Sequence, residues 1–263
     1  MSERNSRDSR RRALEEARQA QQRRKRRVRL AAWGGAVVIV AGVGLGLGLG
    51  LSGSGPGPGP GPEASASGVA SLGPLSSLGP LTAAPAAGAL GPEQVPIPSA
   101  PVLAAPSAAT AGQAIDGISC QTSEQTVFHI HTHLTIFVNG QPRQVPAAIG
   151  IPGAVAEQTK AGPFIDSGTC FYWLHTHAAD GIIHIESPVE RTYTLGEFFD
   201  EWGQPLGPEQ AGPAKGKVTV IVNGKVFKGN PRDVPLGSHE NLQLDVGTPR
   251  IAPQTINWSN TGL

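Results

Sequence analysis

The feature that most constrains this 263-residue chain is the stretch 30–51, which is apolar, rich in glycine and free of charge. As a helix it would measure about 33 Å, enough to cross a hydrocarbon core of about 30 Å. A cleaved signal peptide has a shorter apolar region of about 7–15 residues, so the stretch predicts an uncleaved signal-anchor and a single transmembrane helix. Ahead of it, residues 1–29 hold twelve Lys/Arg against Glu3, Asp8, Glu15 and Glu16. Basic residues beside a span remain on the cytoplasmic side. The expected topology is therefore a basic cytoplasmic tail at 1–29, a span of the cell membrane at 30–51, and an extracytoplasmic remainder. The same basic cluster could serve as a nucleic-acid arm, but the apolar stretch follows it directly, and no nucleic-acid partner is expected.

Residues 52–112 are almost entirely Gly, Pro, Ala, Ser and Leu, and Glu63 and Glu93 are their only charges. Such a composition buries too little apolar surface to offset chain entropy, so it predicts a disordered linker. All seven histidines, both cysteines, both tyrosines and three of the four tryptophans lie in 113–263. That segment is the expected folded domain.

Its pattern predicts an α+β fold, mainly antiparallel sheet with one short helix. Along 127–138 the residues alternate, with Phe128, Ile130, Leu134, Ile136 and Val138 on one face, and Asn139-Gly140 offers a type I′ turn. A second Val-Asn-Gly unit follows at 222–224. Thr194 and Glu197 form a capping box, Leu195, Phe198, Phe199 and Trp202 follow helical spacing, and Gly203 and Pro205 stop the helix. A β-grasp-like order would fit 171–246.

Six histidines fall between 129 and 184. His129, His131 and His133 project from the face of their strand opposite the apolar row. Two of them can share a metal; all three can do so only across a bulge. Asp180-Gly181 reads as a two-residue hairpin turn, which would set His177 opposite His184 and His175 opposite Glu186, all on one face. Imidazole suits zinc, copper, iron or nickel, and a His-x-His pair plus one more His from the next strand leaves a position open for water. Glu186 is either a fourth ligand, an outer acceptor that orients a ligating ring, or a catalytic base. The bland alternative is a solvated histidine face, and His239, isolated in a turn, reads as structural.

Cys120 and Cys170, in an external domain, predict a disulfide that closes a loop of about 50 residues, worth about 4 kcal/mol by chain entropy. A copper thiolate at Cys170 is the rival, disfavoured because Cys170 and His175 fall on opposite faces of a straight strand. The phrases 129–140 (HIHTHLTIFVNG), 173–177 (WLHTH), 181–187 (GIIHIES) and 198–204 (FFDEWGQ) resemble those of a family of uncharacterised bacterial proteins, often with an N-terminal membrane segment. The resemblance covers about 115–248 and implies a coherent domain, with no reaction attached. The leading expectation is a membrane-tethered domain that binds zinc or copper through His129, His131, His133, His175, His177, His184 and Glu186. The alternatives are a zinc-hydroxide enzyme and a metal-free cell-envelope interaction module.

Overall fold

The period-two pattern at 128–138 becomes an eleven-residue strand at the centre of a mixed sheet. The structure, a computed structural model, describes residues 71–106 and 112–263. The basic tail, the expected span at 30–51 and the first part of the expected linker lie outside the described residues. Among the described residues no helix is long and apolar enough to cross a membrane.

The strands are β1 (Ser71–Gly73), β2 (Phe128–Val138), β3 (Gln141–Arg143), β4 (Val155–Thr159), β5 (Gly162–Ser167), β6 (Leu174–His175) and β7 (Ile182–Ser187). After helix α1 (Leu195–Glu201) come β8 (Leu206–Gly207), β9 (Gln210–Ala211), β10 (Ala214–Lys215), β11 (Val218–Val222), β12 (Lys225–Lys228) and β13 (Glu240–Val246). The main sheet runs β1-β12-β11-β13-β2-β7-β6, with β3 also paired to β2. Its pairs are antiparallel except β13 and β2, which run parallel. The mainly antiparallel α+β expectation therefore holds for the described residues.

Both Val-Asn-Gly units form the expected turns. Asn139 and Gly140 have φ of 50° and 76°, Asn223 and Gly224 have 47° and 75°, and a turn with two consecutive left-handed residues matches the twist of the strands it joins. The capping box is also present, with the Thr194 hydroxyl accepting from the Glu197 amide while the Glu197 carboxylate accepts from the Thr194 amide. Leu195, Phe198, Phe199 and Trp202 are completely buried against Leu134, Ile136, Ile183 and Ile185 of the sheet. This helix-covered face is the core. Within β7-β2-β13-β11-β12 the order is that of a β-grasp, with α1 between the two hairpin halves. Its first strand is β2 rather than a segment beginning near 171, because 139–181 is an excursion between β2 and β7.

Two expectations are corrected. Residues 71–106, whose composition reads as tether, are packed onto the domain. β1 pairs with β12, Val95 is wholly buried, and Leu103 joins the core. Few large side chains suffice because the segment lies along a sheet that is already formed. The second correction is the hairpin at Asp180-Gly181. β6 meets β7 with His175 opposite His184 and Leu174 opposite Ile185, two residues out of the expected register. After His175 the chain leaves β7 to bond elsewhere, with the Thr176 carbonyl accepting from Ala148 and the His177 carbonyl from Ile165. Gly181 serves close approach instead, since a Cβ there would sit 2.3 Å from the Leu134 carbonyl oxygen. Cys120 and Cys170 form the expected disulfide, with Cα atoms 5.4 Å apart.

Candidate metal centre

The registers of three neighbouring strands line up the candidate ligands. His131 on β2 lies opposite His184 on β7, which lies opposite His175 on β6, while His129 pairs with Glu186 one step along. All project away from the helix-covered core. His177 enters from the loop after β6 and stacks on Phe164 of β5, ring centroids 4.8 Å apart and planes within 10°. The rings do not face open water: His131, His175, His177, His184 and Glu186 are all buried, and only His129 is exposed.

Hydrogen bonds fix the tautomers on the β6 side. The Nδ1 of His175 lies 2.9 Å from the Tyr172 carbonyl, and that of His177 lies 2.5 Å from the Ile165 carbonyl. A carbonyl only accepts, so each Nδ1 carries the hydrogen and each neutral ring presents a bare lone pair at Nε2. Those two Nε2 atoms are 3.1 Å apart. On the β2 side, the Nε2 atoms of His129 and His131 are 3.0 Å apart, and the Glu186 Oε1 sits 3.0 Å from that of His129 and 3.4 Å from His184 Nδ1. In a tetrahedral zinc site with bonds of about 2.0–2.1 Å, neighbouring donor atoms are about 3.3 Å apart.

Two overlapping donor sets result. His129, His131, His184 and Glu186 form one and His175, His177, His184 and Glu186 the other, each with its ligand atoms within 4.8 Å of one another. His133, although on the same face, belongs to neither set. Its Nε2 is 2.9 Å from the Asp180 carbonyl, and its Nδ1 is buried without a partner beside a separate cavity lined by Phe137, Val145 and Pro98. A straight strand carries it past the cluster by one repeat. His239 stacks on Trp258 at the cavity rim and lies outside both sets. Phe171 meets the His175 ring edge at 5.8 Å, whereas Trp173 packs beside Tyr193.

The electrostatics favour neutral rings around one charged pair. Burial, then repulsion from His184, pushes His131 down to about 3 and lowers His177; burial and His177 lower His175 well below the usual imidazole range. His184 is raised to about 9: burial opposes its charge, but hydrogen bonds to Glu186 and Glu93 outweigh burial. For Glu186, burial would raise the pKa, and the hydrogen bonds from His129 and His184 hold it far below the usual carboxylate range instead.

Three carboxylates beside the cluster were not legible as part of it. Glu93 places Oε1 2.7 Å from His184 Nε2. It sits in a tight turn at 91–95, in which the Gly91 and Val95 backbones bond at 2.8 Å and Pro92 presets the backbone angle. Its only sequence signal is a lone acid after Gly-Pro in a nearly uncharged segment. Asp180 adjoins Glu93, and burial followed by the Glu93 charge raises it to about 8. Glu124 Oε1 is 3.5 Å from His177 Nε2. An open cavity of about 640 Å³ is bordered by Glu93, Glu124, His129, His131, His177 and His184, giving solutes access to the cluster.

With both cysteines in the disulfide and Met1 the sole methionine, no thiolate or folded-domain thioether is available, so the donor set is nitrogen and oxygen. Such a set suits a divalent transition metal rather than Cu(I). The thiolate alternative for Cys170 is thereby removed. No protein-family model matches the chain, and neither a curated protein nor a solved structure matches it.

Proposed function

We propose that this chain is a membrane-tethered, extracytoplasmic domain that binds a transition metal, zinc or copper, through its strand-borne histidines and Glu186. The observation that carries this reading is the pair of buried Nε2 atoms of His175 and His177, 3.1 Å apart, each left unprotonated by its own bond to a carbonyl. Two lone pairs held that close repel unless a cation lies between them. Glu93 adds the usual outer support of a metal-binding imidazole, a carboxylate on the ring nitrogen that does not face the ion. The orientation with the domain outside rests on the Arg-rich segment 1–29 and the apolar stretch 30–51. The disulfide accords with an oxidising compartment.

Metal analysis of the purified full-length chain after dialysis tests the proposal. The wild type retains zinc or copper, and a His175→Ala/His177→Ala variant retains less. Near-zero metal in both sinks it. A zinc-hydroxide enzyme is the second reading, favoured by the open cavity beside the ligands, with Glu186 as base or orienter. Cobalt substitution separates the two: an exchangeable water on the ion supports an enzyme, and a closed four-ligand site supports binding alone. A metal-free interaction module would need its histidines at the surface, and five of the six are buried with Glu186.

A further inference from the structure

We infer that the cluster holds two metal ions, one on the β2 side and one on the β6 side, bridged by the carboxylate of Glu186. This rests on the metal-binding reading above and goes beyond it in number and arrangement. The β2-side donors are the Nε2 atoms of His129 and His131, Glu186 Oε1 and His184 Nδ1, the last releasing its proton to solvent as the ion binds. Successive separations of 3.0, 3.0 and 3.4 Å approximate the edges of one tetrahedron. His184 is turned for that role by Glu93, whose Oε1 lies 2.7 Å from His184 Nε2 and takes the hydrogen there. Those four donors complete a four-coordinate ion.

The His175–His177 pair is then left over. Its two bare Nε2 atoms are 3.1 Å apart, and both residues are buried. Neither can turn its Nδ1 inward without abandoning a carbonyl. β6 and β2 flank β7 on opposite sides, so the two histidine pairs approach the central strand from opposite directions. No set of mutually close donors includes all of them. Glu186, which belongs to both sets, has a second oxygen that is buried with no partner. That oxygen is the donor left for the β6-side ion, and Glu124, 3.5 Å from His177 Nε2, faces the same ion from the cavity. Carboxylate-bridged pairs of this kind hold their ions about 3.5–4 Å apart.

The test is the stoichiometry of the full-length protein, stripped of metal, reloaded with Zn(II) and desalted. Two zinc ions per chain are expected, falling to one in His129→Ala, a substitution at the exposed end of the cluster, and to one in His177→Ala. One zinc per wild-type chain overturns the bridged pair and leaves the metal-binding proposal standing, whereas none overturns both. The wild-type count needs no variant to fold. Loading with Co(II) supplies a second readout: magnetic coupling between two cobalt ions is expected, and two uncoupled ions would refute the Glu186 bridge.

Discussion

The two faces of β2 are made by alternate residues of one strand and yet close in different ways. Leu134 and Ile136 turn toward α1 and are sealed by apolar side chains alone. His129 and His131 turn the other way and meet a ring of nitrogen and oxygen donors. Burial against hydrocarbon is complete once the chain has folded, whereas the donor ring sets two bare nitrogens 3.1 Å apart, a repulsion that a bound cation would relieve. The first face should therefore be indifferent to metal and the second dependent on it.

The largest effect expected is on the helix-covered face. Phe198 is completely buried, and Phe198→Ala should cost about 3–5 kcal/mol in denaturant unfolding. The loss should be the same with and without chelator; a chelator-dependent loss would mean that the two faces are not independent. Next, a chelator should lower wild-type stability by about 2.7 kcal/mol if metal had stood at about 100 times its Kd, read as a fall in Tm. His175→Ala/His177→Ala should respond less than wild type, because the donor set of His129, His131, His184 and Glu186 remains.

A smaller effect sharpens the contrast from the core side. Glu201 is buried, and burial followed by the charge of Glu197 raises its pKa well above the ordinary 4.5, against the lowering effect of the Leu174 backbone. The folded state thus keeps a proton that the unfolded chain releases. The stability this proton supports is fully present below pH 4.5 and is lost as the pH rises toward the folded-state value, by at most about 1.4 kcal/mol per pH unit. Glu201→Gln should flatten that slope, measured by unfolding across a pH series in the presence of chelator. The smallest effect is Thr194→Ala, which removes the cap of α1 and should cost about 1 kcal/mol with no change in metal content.

What could be read from the residues was local. The alternation of β2, both Asn-Gly turns and the Thr194/Glu197 box each depend on neighbours within a few positions, and each appears as expected. Asp180-Gly181 misled because the same dipeptide satisfies a different demand. Asp180 is buried beside Glu93, and Gly181 lets its backbone approach Leu134. Of the candidate ligands, six fall into the two donor sets, while His133 is carried past them by the straightness of its strand. Glu93 was out of reach because its partner His184 is 91 positions away and its own surroundings look like linker. The packing of 71–106 escaped for a similar reason: Pro and Ala contribute little core of their own but can line a surface supplied by other strands.

The parallel pairing of β13 with β2 has a consequence for assembly. Glu240 lies beside Thr132, so β2, already paired to β3 and β7 along one edge, gains a partner on its other edge only from near the far end of the domain. Closing a ladder over that separation is entropically slow. A nascent domain halted before 240 would already carry every residue of the two donor sets while one edge of β2 stood unpaired. On the metal-binding proposal, an ion reaching such a chain would meet donors carried by a strand still open along one edge.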